Sequence, residues 1–127
     1  MANKWIVGAL AVAATVSAQE QVTISREMNT TSAYQAVLTQ LKKDGLDVNL
    51  NFSQDAGIET ALTESGGIWK TGCFYKFTFI PNGNKTTVRI VAYTKKRVKG
   101  AAGWTAAKED IDRSRAEAFQ LQRELNW

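Results

Sequence analysis

The chain has 127 residues, with 16 Lys and Arg against 12 Asp and Glu, no histidine and one cysteine. Lack of histidine removes the commonest general base, the commonest metal ligand and every histidine-dependent triad, and a single cysteine rules out an internal disulfide. The net charge of +4 favours solubility and weak attraction to anionic surfaces, and is too small by itself to imply a nucleic-acid partner.

Residues 1–18 read as a secretory signal peptide. Lys4 supplies a positive start, residues 5–16 (WIVGALAVAATV) are apolar and uncharged, and Val16-Ser17-Ala18 places small residues before Gln19, as a cleavage site requires. The competing readings are an uncleaved anchor and an N-terminal core helix. As a helix, residues 5–16 would reach only about 18 Å, short of a hydrocarbon core of about 30 Å. No cysteine follows the small residues, since the only one is Cys73, so no lipid attaches there. The expectation is a single domain over residues 19–127, exported to the periplasm or outside a bacterium, with no transmembrane segment in the mature chain.

Val22 and Ile24 alternate with Thr23 and Ser25, which predicts a short strand over residues 20–27. Ser32 followed by Gln35 matches a capping box. Tyr34, Val37, Leu38 and Leu41 then share one helical face, and Gly45 stands where a C-terminal cap belongs, so the first helix is expected over residues 31–44. Leu46, Val48, Leu50 and Phe52 alternate with polar residues, the pattern of a half-buried strand. Asp55, Ala56 and Gly57 bend it, residues 58–62 continue beyond a bulge, and Ser65-Gly66-Gly67 makes a loop.

The strongest strand signal covers residues 68–80. Cys73, Tyr75, Phe77 and Phe79 fall on one face and Lys76 and Thr78 on the other. Pro81-Asn82-Gly83-Asn84 is a turn, with Asn82 and Gly83 tolerant of positive φ. Residues 86–94 return with Val88, Ile90 and Ala92 inward and Arg89 and Tyr93 outward, so residues 71–95 form a β-hairpin. After a small-residue linker at 100–103, Thr105 is expected to cap a helix over 105–126. Its apolar stripe would be Trp104, Ala107, Ile111, Ser114, Ala118, Leu121 and Leu125, widened by Phe119, with Arg113, Glu117, Gln120 and Glu124 opposite. This order predicts an α+β fold: an antiparallel β-sheet packed on one face by two helices (β-α-β-β-β-α, with a bulged extra strand in the middle), its other face polar and open to water.

Few residue types carry chemistry. Cys73 lies among inward aromatics and reads as a buried structural thiol, with no base nearby in sequence to activate it. Asp44, Asp47, Asp55, Glu59 and Glu64 lack the order of a calcium loop and read as a solvated strand face and loop. No cofactor or metal is expected. The sharpest charge feature is Lys95-Lys96-Arg97-Val98-Lys99, which with Arg89 makes residues 86–100 basic and free of acid. It suits an anionic surface or partner; the plainer reading is a strand end protected from edge pairing by lysine, or one that faces the acidic segment. Among the tryptophans, Trp104 belongs to the expected core stripe, and Trp69, in a glycine-rich approach to a strand, is the candidate for ligand contact. Asn29-Thr30-Thr31 and Asn84-Lys85-Thr86 are glycosylation sequons that matter only in a eukaryotic secretory pathway.

In element order, residues 20–127 resemble the small helix-grip domains of BamC, a part of the outer-membrane β-barrel assembly machinery. The resemblance rests on the helix at 31–44, the strand from Leu46 towards Thr60, the aromatic Trp69, the hairpin from Cys73 to Thr94 and the long closing helix. It implies the helix-grip fold and carries over no functional residue. This chain departs from that family in having one such domain rather than two and no lipid-bearing cysteine after the leader. The expected function is a non-enzymatic exported binding or scaffold domain of the bacterial envelope, meeting another envelope protein or an anionic surface and not nucleic acid. Its candidate binding residues are Trp69, Arg89, Lys95, Lys96, Arg97 and Lys99. The alternative is a carrier or sensor of a small apolar ligand, held between the closing helix and the sheet by Tyr34, Trp69, Tyr75 and Phe119.

Overall fold

Two alternating segments joined by a tight turn organise the molecule. The computed structural model describes residues 21–49, 57–98 and 103–127; the expected leader, Leu50, Phe52, Asp55 and Lys99 lie outside them. In chain order the elements are β1 (Thr23–Arg26), α1 (Thr30–Lys43), β2 (Ile58–Glu59), β3 (Thr63–Ser65), β4 (Trp69–Asn82), β5 (Lys85–Val98), β6 (Lys108–Glu109) and α2 (Ile111–Leu125). The strands form one antiparallel sheet in the order β1-β5-β4-β2, with β3 also on β4 and β6 also on β5. Both helices cover one face, so the α+β expectation holds. Among the described residues no helix is long and apolar enough to cross a membrane.

β4 and β5 pair along their full length, from Asn82↔Lys85 at the turn to Trp69↔Val98 at the open end. The turn therefore has Gly83 and Asn84 at its centre, one residue later than expected from Asn82-Gly83. Gly83 carries a φ of +65°, the first-position conformation that a two-residue hairpin turn assigns to glycine. Alternation sends Phe77, Phe79, Val88, Ile90 and Ala92 inward, all buried. With Ile24, Ile58, Ala33, Val37 and Leu41, and with Ala118 and Leu121 of α2, they make the core.

α1 starts at Thr30, one residue before the expected bound, and its cap is not Ser32. Asn29 is its N-cap, accepting a hydrogen bond from Ser32 N–H at 2.8 Å. Ala33, in the first turn, is completely buried, an apolar contact too small to stand out in the sequence. Just before the helix, the buried Thr86 hydroxyl donates to Met28 C=O at 2.9 Å and ties the approach to β5. At the other end Gly45 N–H donates to Lys42 C=O and Leu46 N–H to Leu41 C=O, which closes the helix as the sequence implied.

Of the strand expected from Leu46, the described part is a single bridge, Val48↔Thr60, with Leu46 and Val48 half-buried against the core. Gly57 begins the return at φ +88°, and a Cβ there would sit 2.2 Å from the carbonyl oxygen of Phe77. Only glycine allows β2 to approach β4 so closely.

The closing helix differs most from expectation. It begins at Ile111, with Asp110 as N-cap accepting from Arg113 N–H at 3.1 Å. Thr105 is not a cap. Its N–H donates to Lys96 C=O at 2.8 Å, and its hydroxyl accepts from Lys96 N–H at 2.9 Å. The segment ahead of the helix thus satisfies the free edge of β5, a demand that outweighs one more helical turn. Trp104 accordingly stands outside the helix, with the Arg97 guanidinium 4.7 Å from its ring centre.

Candidate functional site

The hairpin register decides which candidate residues meet. Lys70 lies opposite Arg97, Thr71 opposite Lys96 and Gly72 opposite Lys95. Trp69, Lys95, Lys96 and Arg97 are therefore gathered at the open end of the hairpin, joined by Lys70. Ile68 and Trp69 are 72% and 65% exposed there, an unusual state for two consecutive large apolar side chains. Alternation places Lys95 and Arg97 on the outer face and Lys96 on the opposite one. Arg97 forms an ion pair with Glu64 of β3 at 3.1 Å, so the basic run does meet the acidic segment at one point. Lys70 Nζ donates to Gly66 C=O at 3.3 Å.

Arg89 is not part of this group. It pairs with Thr78 and Thr23, six residues from Lys95 and so about 20 Å along the strand. It instead lines a notch of about 250 Å³ with Gln21, Tyr93, Glu109 and Ile111, at the start of α2.

The outer sheet face is less polar than expected. Phe74 and Tyr93, directly opposite each other, stack with ring centres 5.1 Å apart and planes 16° from parallel. Lys95 Nζ lies 5.7 Å from the Phe74 ring centre and Lys76 Nζ 5.4 Å from that of Tyr93. Lys76 also pairs with Glu59 at 3.7 Å. Each ring thus already has a stacking partner and a cation, an arrangement that stiffens the two strands. Phe74 went unassigned in the sequence, although its alternation with Cys73 and Tyr75 puts it outward. Beside it Asn49, Glu59, Leu62 and Lys95 border a shallow recess of about 300 Å³.

The inner face carries the less expected chemistry. Cys73 is buried and free, as anticipated. Tyr75 beside it has its hydroxyl pushed up to about 12, by burial first and then by Cys73 and Glu117. Glu117, assigned from its charge to the exposed side of the closing helix, is buried, and its Oε2 has no hydrogen-bond partner. Burial, with Asp44 and Glu124 adding like charge, raises its carboxyl to about 7. Glu124 is raised as well, by burial first and then by a hydrogen bond with Asp44. Ser114, also buried, accepts from Ala92 N–H at 2.8 Å and donates to Asp110 C=O at 2.9 Å, which pins α2 to the middle of β5.

A chamber between the closing helix and the sheet is not built from the four residues expected to line it. Tyr34 packs edge-on against Phe79, Phe119 is 63% exposed beside Arg123, and Trp69 is at the hairpin end. Ala118 and Leu121 fill the helix–sheet contact. Among the described residues no cluster of His, Cys, Asp and Glu is arranged to hold a metal ion. Comparison with protein-family models gives no match, and comparison with curated proteins gives none either.

Proposed function

We propose that this protein is a non-catalytic binding domain of the bacterial envelope, carried out of the cytoplasm by residues 1–18 and working through the open end of its central hairpin. One observation carries the reading: the register brings an exposed apolar pair, Ile68 and Trp69, to the strand end that holds Lys70, Lys95, Lys96 and Arg97. The side chains best suited to reaction point the other way. Cys73 is buried, and the raised carboxyl of Glu117 is enclosed between the helices and the sheet. The likeness in element order to the helix-grip domains of BamC agrees with an envelope role and forms part of the same proposal.

Two measurements test it in the living cell. Fractionation of cells that express the full chain is expected to recover it in the envelope, shortened to begin at Gln19 by intact mass. A Lys95→Glu/Lys96→Glu variant is expected to leave the washed envelope at lower salt than the parent. A chain retained at full length in the cytoplasm, or an envelope association indifferent to both substitutions, overturns the reading.

A further inference from the structure

We infer that the open hairpin end docks on an anionic lipid bilayer, with Ile68 and Trp69 seated among the headgroups and Lys70, Lys95 and Lys96 held against their phosphates. The inference rests on the envelope reading above and names its partner. Tryptophan suits this depth, because its ring is apolar and its N–H still finds a polar partner at a membrane–water boundary. Isoleucine supplies the purely apolar contact. The cations attract an anionic surface by about 1 kcal/mol each, or about fivefold in affinity.

The geometry favours a bilayer over a protein partner. A specific protein interface buries about 800 Å² on each side, whereas the exposed apolar tip consists of two consecutive side chains. The lysines also stand on both faces of the hairpin, Lys70 and Lys95 on one and Lys96 on the other. A partner docked on one sheet face would meet only part of that set. A bilayer met end-on meets all of it, and yields around the tip without a complementary pocket. Glu64, on the neighbouring strand, is already paired with Arg97 and leaves the lysines unopposed by it.

The experiment uses the protein as the cell makes it, purified from the envelope of expressing cells. It is mixed with vesicles of phosphatidylcholine alone or with phosphatidylglycerol added, across a salt series, and binding is read by co-sedimentation. Lipids brominated near the glycerol report insertion by quenching tryptophan fluorescence. Binding is expected to require phosphatidylglycerol and to weaken with salt. Lys95→Glu/Lys96→Glu is expected to weaken it by tenfold or more. Trp69→Ala is expected to weaken it several-fold and to abolish most of the quenching, while circular dichroism shows both variants folded. Equal binding to the two vesicle types, no binding to either, or quenching unchanged in Trp69→Ala overturns the inference. Protein found in the envelope that sediments with wall polymer or a protein partner and not with vesicles overturns the lipid assignment alone; protein never reaching the envelope overturns the envelope reading as well.

Discussion

The two ends of the central hairpin are built from the same strands, with the same alternation and register, and they live in opposite surroundings. Towards the turn, Phe77, Phe79, Val88 and Ile90 are buried beneath both helices. Towards the open end, Trp69 and Ile68 are exposed among lysines. Between them lies a polar layer: Ser114 bonded to Ala92, and Glu117 facing Tyr75. Pairing alone therefore does not make a core. Apolar strand residues are buried only where a helix has apolar side chains to set against them, and α2 begins at Ile111, level with the middle of β5.

The sharpest way to break this contrast is to truncate one ring at each end. Phe77→Ala removes a side chain that is 1% exposed and is expected to cost about 3–5 kcal/mol in urea unfolding. Trp69→Ala, the smallest effect expected, stays within about 0.5 kcal/mol. A comparable loss for both would mean that the open end is part of the core.

The polar layer gives the intermediate effects. Glu117 holds its proton to about pH 7 when folded, against an ordinary value of 4.5. Between those values the folded state binds more protons than the unfolded chain, so stability falls as pH rises through that window. The full shift corresponds to about 3 kcal/mol, and solvent screening around its neighbours reduces the expected fall to about 2 kcal/mol. Unfolding free energies of the parent and Glu117→Gln, measured from pH 4 to 8, should diverge in this way, with the variant more stable at high pH. A constant difference across the range would contradict the burial of that carboxyl. Next in size, Ser114→Ala strands the Ala92 N–H at the edge of β5 and is expected to cost about 1–2 kcal/mol. Amide exchange should then speed up at Ala92 and in the first turn of α2 while the turn end stays protected.

Much of this contrast was legible in the residues. Period-two alternation identified the inward set on both long strands, and the stripe Tyr34, Val37, Leu38 and Leu41 identified α1. The register was harder. Slipping β5 by two residues against β4 leaves every side chain on its proper face, so hydrophobic pattern could not choose between Asn82-Gly83 and Gly83-Asn84 as the turn centre. Turn geometry separates them: a turn centred on Asn82-Gly83 would put both residues at positive φ, whereas Gly83 is at +65° and Asn82 is not at positive φ, so Gly83 takes the first central position and Lys70 comes opposite Arg97. The burial of Glu117 was legible and was hidden by its charge. It stands three residues after Ser114 and four before Leu121, on the same face as both, whereas Phe119 falls off that face and is exposed.

By itself the sequence determined the class of fold, the long hairpin and its two faces, and the existence of both helices, because each follows from a repeat that local geometry imposes. Tertiary structure alone decided that Asp110 rather than Thr105 would cap α2 while Thr105 paired with Lys96, that the Ser114 hydroxyl would take the Ala92 N–H, and that Thr86 would tie down the approach to α1. The physical reason is common to all three. Each depends on a hydrogen bond or a packing contact between segments far apart in the chain, and no local pattern specifies what a distant edge or face still has to satisfy.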